Sequence, residues 1–124
     1  MLVEDNSQLR ELIKRILEKE TDFCVVGEAH DGRLGRELLS RLNPKALVTD
    51  LILPGLSGLE LIRFARDHFP GIAIVAVSIH SEDPYFRRAI ERGAKAFVHK
   101  SRLHDELAIA LRSALAGEQF LSLP

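Results

Sequence analysis

The chain has 124 residues, 46 % hydrophobic and 28 % charged, with a formal net charge of -1. That length suits one domain with one core, and the near-neutral balance excludes the strong basic imprint of a nucleic-acid or membrane-surface binder. No apolar run approaches the roughly 20 residues of a membrane span, "MLVEDN" lacks a signal-peptide layout, and the lone cysteine forbids an internal disulfide, so a reducing, cytoplasmic setting is expected.

The predicted elements alternate in type along the chain. "MLV" (1–3) is a short apolar run, a first strand. A helix follows with Leu9, Leu12, Ile13, Ile16 and Leu17 at helical spacing, capped by Asn6 or Ser7. "FCVVGEA" (23–29) reads as the second strand, which makes Cys24 a buried structural thiol. The second helix starts near Asp31 or Gly32, turns Leu34, Leu38, Leu39 and Leu42 inward, and ends before Asn43-Pro44. "KALVTD" is the third strand. Ser57 caps a third helix with Leu61, Ile62 and Ala65 inward, closed by Pro70-Gly71. "IAIVAVS" (72–78), the most apolar run, is a central buried strand. Asp83-Pro84 opens the fourth helix and Gly93 closes it. "KAFVHK" (95–100) is the fifth strand, and the last helix runs from about Leu103 to Ala116 with Leu103, Leu107, Leu111 and Ala114 inward. Ile109 points away from that stripe. The tail "EQFLSLP" loses helical periodicity.

Strands joined by helix-length connections must run parallel, and parallel sheets are covered on both faces. Right-handed crossovers then give a (βα)5 three-layer sandwich. The expected fold is α/β: a flavodoxin-like, doubly wound, five-stranded parallel sheet of order 2-1-3-4-5, with ligands beyond the carboxyl ends of its strands. Polar residues should therefore gather where strands end, and they do. The first strand ends in Glu4-Asp5, the third in Asp50, the fourth in Ser78 and the fifth in His99-Lys100. Three carboxylates in one place repel unless one is protonated or a cation lies among them. Carboxylates with a backbone carbonyl make a Mg²⁺ site, and Lys100 and Ser78 add a positive charge and a donor. That environment suits a phosphoryl group arriving at the Asp50 carboxylate.

The same residues carry a resemblance. The acid pair in "LVEDN", the D-x-x-x-P-x-x-x-G spacing of "DLILPGLSG", the serine in "AVSIH" and the lysine ending "GAKAFVHK" resemble the receiver domain of two-component response regulators over essentially the whole chain. The resemblance implies that Asp50 is the phospho-acceptor for a sensor histidine kinase. It implies Mg²⁺ (or Mn²⁺) held by Asp5, Asp50 and the Ile52 carbonyl, with Glu4 acting mainly through water. Lys100 would contact a phosphoryl oxygen, Ser78 would hydrogen-bond the phosphate, and Phe97 would turn inward. The surface of the fourth helix, fifth strand and fifth helix would then change and control a homodimer. Such a protein is regulatory, with only self-phosphotransfer and autodephosphorylation chemistry.

"VVGEAHDGRLGRELL", "LPGLSGLELIRFAR" and "ALAGEQFLSLP" are similar to NarL/FixJ-type regulators, in which a LuxR-type helix-turn-helix domain follows. Residues 1–117 are thus expected to be the receiver and 118–124 the start of a linker to a DNA-binding domain not included here. Departures accompany the match. The first strand has three residues before Glu4 where the family has five or six, which predicts a trimmed N-terminus and a weakened central strand. Ile79 is bulkier than the usual Ala or Gly, and with His80 it would tune phosphate lifetime. His80 and His99 flank the pocket, whereas His30, His68 and His104 read as surface residues. Four other readings compete, among them a degenerate receiver that no longer takes phosphate, against which the complete acid pocket argues. One is a stand-alone receiver. Another is a haloacid-dehalogenase-type phosphatase, which needs a second acid at position 52, where Ile52 stands. The last is a flavodoxin-like cofactor binder, whose phosphate the acids of "EDNSQ" would repel.

Overall fold

The computed structural model describes residues 1–79 and 83–122. Its elements are β1 (Leu2–Val3), α1 (Ser7–Glu18), β2 (Glu28–Ala29), α2 (Gly32–Leu42), β3 (Ala46–Asp50), α3 (Gly58–His68), β4 (Ala73–Ser78), α4 (Asp83–Arg92), β5 (Ala96–His99), α5 (Leu103–Leu115) and β6 (Phe120–Leu121), with one 3₁₀ turn at Lys100–Arg102. All strand pairs are parallel, and the order is β2-β1-β3-β4-β5-β6. The doubly wound sheet is as expected, with a sixth strand added at the β5 edge.

The strands alternate in the two-residue period that sorts side chains between faces. Leu2, Val48, Val75, Val77, Ala96 and Val98 pack against Ile13, Ile16 and Leu17 of α1 and Leu103, Leu107 and Leu111 of α5. Val3, Leu47, Ile74, Ala76 and Phe97 pack on the other face against Leu39 of α2, Leu61, Ile62 and Ala65 of α3 and Ala89 of α4. Burying a Leu or Ile side chain stabilises by about 1.5–3 kcal/mol, so these two layers hold the sheet between them. The caps follow the sequence. Asn6, Asp31 and Ser57 accept from the amides of Leu9, Leu34 and Glu60, satisfying donors that a helix start leaves open. Asn43 ends α2 in the left-handed region at φ 46°. The side chain of Asp83, expected to cap α4, lies outside the described residues.

Four expectations need correction, and the first three share one cause. The second strand is two residues long rather than seven, because β1 begins at Leu2 and only Glu28 and Ala29 have β1 residues beside them. Cys24 is consequently exposed rather than buried, and Val26 beside it is 53 % exposed. Leu42, at the end of α2, is 39 % exposed because it overhangs the same unfilled region. The fourth correction is the tail. Phe120 and Leu121 pair in register with Ala96 and Phe97, and the Ser122 amide donates to the Phe97 carbonyl at 2.8 Å. The Ser122 hydroxyl is buried and donates to Glu106 of α5 at 2.6 Å.

Candidate functional site

The carboxyl ends of β1, β3, β4 and β5 meet at one rim, and the turn after β3 shapes it. Gly58 donates its amide to the Leu51 carbonyl at 2.9 Å. A Cβ on Gly58 would stand 1.8 Å from the Asp50 carbonyl oxygen, so only glycine lets α3 start against the end of β3. Gly32 has the same role against Leu56 and donates to the Pro54 carbonyl at 3.2 Å. The turn through Pro54, Gly55 and Gly58 is thus what lets a helix start directly beneath the Asp50 backbone. The Ile52 amide folds back to donate to Asp50 Oδ1 at 3.3 Å. Its side chain is exposed and carries no acid.

Lys100 reaches across the sheet from the end of β5. Its Nζ lies 2.8 Å from Asp50 Oδ2 and 2.9 Å from Glu4 Oε1. Glu4 is wholly buried, with Oε2 accepting from the Asn6 amide at 3.1 Å. Oε1 meets Lys100 as an ion pair without a directed hydrogen bond. Burial pushes the Glu4 carboxyl above its ordinary value, against the opposing pull of Lys100. Burial alone would lower the Lys100 ammonium, but Asp50 and Glu4 outweigh it and hold it above its ordinary value. Asp5, exposed, completes the acid group: Glu4, Asp5 and Asp50 each bring a carboxylate oxygen within 4.8 Å of the others. That set fits a hard divalent cation, which takes oxygen ligands and keeps several waters. The undirected Glu4 oxygen is the atom a metal-bound water would satisfy.

The sheet therefore brings Glu4, Asp5, Asp50 and Lys100 together. Ser78 is buried at the end of β4, one residue beyond the Val77 that pairs with Asp50. Phe97 is already fully buried, edge-on to Phe86 of α4 at 5.4 Å. Ile79 projects into solvent, and His80 lies outside the described residues. Arg10 went unsingled in the sequence, and His99, expected to flank the pocket, does so. Arg10 donates to the Glu4 carbonyl at 2.7 Å. The His99 ring spans the rim, one nitrogen 3.0 Å from the Ile79 carbonyl and the other 2.7 Å from Ser101 Oγ. His30, His68 and His104 are exposed, as expected.

Three acids and a lysine at the carboxyl edge of a doubly wound parallel sheet define a class of α/β domain with an acidic pocket at its strand ends. Within that class, the chain belongs to the response regulator receiver domain family, whose model matches residues 1–112. It is 34 % identical over 122 residues to the nitrate/nitrite response regulator protein NarL of Escherichia coli K12, covering 98 % of this chain and 56 % of NarL. It is 28 % identical to the transcriptional regulatory protein DegU of Brevibacillus brevis, covering 98 % of this chain and 51 % of DegU. The chain thus spans about half the length of the curated relatives it matches. Among solved structures, a LuxR-family two-component response regulator from Aurantimonas sp. SI85-9A1 aligns with a TM-score of 0.93 and 34 % identity, covering 98 % of this chain and 87 % of that one. The isolated receiver domain of RcsB from Salmonella enterica serovar Typhimurium, solved with phosphomimetic BeF3⁻, aligns with a TM-score of 0.89 and 25 % identity, covering 98 % and 90 %. The relatives are response regulators of two-component systems named for transcriptional control, and the family is regulatory rather than enzymatic. Among the described residues no helix is long and apolar enough to cross a membrane.

Proposed function

We propose that this chain is a phosphorylation-driven switch in which Asp50 accepts a phosphoryl group from a sensor histidine kinase. The carrying observation is the 2.8 Å contact of Lys100 with Asp50 inside a ring of acids. An Asp50 oxygen attacks phosphorus, the P–N bond of the phosphohistidine breaks, and the imidazole leaves with its electron pair. Lys100 gives up its contact with the carboxylate to meet a phosphoryl oxygen. Ser78, at the adjacent strand end, donates to another. Asp5, Asp50 and the Ile52 carbonyl would hold Mg²⁺ (or Mn²⁺), with Glu4 reaching it through water. When bound, that ion supplies charge neutralisation for the incoming phosphate.

The output follows from position. Phosphate on Asp50 adds charge and acceptor oxygens, which draw Ser78 and Lys100 inward and bias the packing of α4, β5 and Phe97. Ile79 and His80, next in sequence after Ser78, would tune how fast water reaches the acyl phosphate. The changed surface of α4, β5 and α5 governs a homodimer. In a longer cytoplasmic protein, a linker after β6 would pass the signal to a helix-turn-helix domain that binds DNA.

The test is direct. The protein is incubated with Mg²⁺ and acetyl phosphate or beryllofluoride. A base-labile adduct, or a spectral change, is expected for the wild type and is abolished in Asp50→Asn. An absent adduct in the wild type, or an undiminished one in Asp50→Asn, would refute the assignment.

A further inference from the structure

The two strands that carry Ser78 and Lys100 to the rim pair in register only as far as Ser78 and His99. Beyond that rung the chain leaves the sheet on both sides, through Ile79 after β4 and through the 3₁₀ turn Lys100–Arg102 after β5. The His99 side chain adds one more connection there. Its Nε2 lies 3.0 Å from the Ile79 carbonyl oxygen. Its Nδ1 accepts from the Ser101 amide at 3.1 Å, which caps the 3₁₀ turn, and lies 2.7 Å from the Ser101 hydroxyl.

The neighbours fix where the ring carries its hydrogen. A backbone carbonyl only accepts and a backbone amide only donates. Nε2 therefore bears the hydrogen and Nδ1 is the bare acceptor. Each end of this bridge is one residue away from a group of the rim. Ile79 follows Ser78, and Ser101 follows Lys100, whose Nζ lies 2.8 Å from Asp50 and 2.9 Å from Glu4.

We infer that His99 is a positioning residue: its imidazole ties the exit of β4 to the turn after β5, so that Ser78 and Lys100 meet a phosphoryl group on Asp50 as one pre-arranged pair. The inference rests on the phosphoryl reading proposed above. Without the bridge the two strand ends move independently, and the pair is ordered only when the phosphoryl group arrives. That ordering cost is subtracted from the affinity for the group, whereas donors already in place avoid it. His99 acts through Ile79 and Ser101 and itself exchanges neither proton nor phosphoryl group.

Two substitutions each keep one half of the bridge. In His99→Asn the amide oxygen takes the place of Nδ1 and accepts from the Ser101 amide, as Asn does toward the residue two ahead in a turn, while the Ile79 carbonyl loses its donor. In His99→Gln the amide nitrogen takes the place of Nε2 and donates to the Ile79 carbonyl. Beryllofluoride, titrated with Mg²⁺ present, is expected to bind His99→Asn about tenfold more weakly than the wild type and His99→Gln within about threefold of it, the span of one hydrogen bond. Thermal melts of the free variants check that each is folded. In ¹⁵N NMR of the free wild type, the His99 ring is expected as the Nε2–H tautomer with an Nε2 proton protected from exchange. Wild-type affinity in His99→Asn, equal losses in the two variants, or an Nδ1–H ring would overturn the inference and leave the phosphoryl reading standing. A wild type that binds no beryllofluoride would refute that reading, and this inference with it.

Discussion

Lys100 is the one cation in contact with both Glu4 and Asp50 among the described residues. Removing one partner of a buried ion pair leaves the other uncompensated, at a cost of about 3–5 kcal/mol where burial is complete. Lys100 retains some exposure, so Lys100→Met is expected to lose about 2 kcal/mol in urea denaturation at pH 7. The sign with pH follows from Glu4. Its raised carboxyl keeps a proton that the unfolded chain releases, so the cost of burying the charge is absent in acid and grows as pH rises through the raised value. The loss in Lys100→Met should therefore shrink at pH 5. A deficit equal at both pH values would contradict this account. Met1 behaves oppositely. Its ammonium is held down from 8.0 to about 6, so the folded state carries the cost below about pH 6 and sheds it as pH rises to 8. Stability should climb on the order of 2 kcal/mol across that window, and an N-terminally acetylated chain should lack the climb.

At the scale of elements, the strands and helices that pack on both sides were legible, because periodicities of 2 and 3.6 report burial directly. β2 and β6 were not. The run "FCVVGEA" has a strand's composition, yet ladder bonds need a neighbour, and β1 is too short to reach most of it. "EQFLSLP" shows no clear alternation, yet the open edge of β5 takes Phe120 and Leu121 while Glu106 takes Ser122. Tertiary partners decided both cases, as they do for short strands generally. The turn after β3 was legible through its glycines. Gly58→Ala drives a methyl against the Asp50 carbonyl and should cost about 2–4 kcal/mol, as overpacking against backbone does. Gly117→Ala, whose added methyl meets open space, should cost about 1 kcal/mol for its φ of +79° alone. Thermal denaturation of the two variants measures the difference, and equal losses would mean the close approach at Gly58 is relieved by movement.

For the molecule as a whole, the site was more legible than the sheet's edges. Its residues are scattered over 97 positions of sequence, from Glu4 to Lys100, but topology places every strand's carboxyl end at one rim. Reading strand ends was therefore enough to find Glu4, Asp5, Asp50 and Lys100. The bracing by Arg10 was not legible, because a guanidinium on a helix carries no spacing signature, whereas His99 was placed beside the pocket by its strand end. A cation that binds only the folded rim stabilises the entire fold, by about 2.7 kcal/mol at a hundred times its Kd. Mg²⁺ should accordingly raise Tm, EDTA should reverse the rise, and Asp5→Asn should weaken it. A Tm indifferent to Mg²⁺ in the wild type would argue against a cation at this rim. The sixth strand has a mechanical corollary. Because the Ser122 amide is fastened to the Phe97 carbonyl, the end of the described chain is anchored beside β5 instead of hanging from the last helix. A shift of β5 by a fraction of an ångström would move residues 120–122 with it.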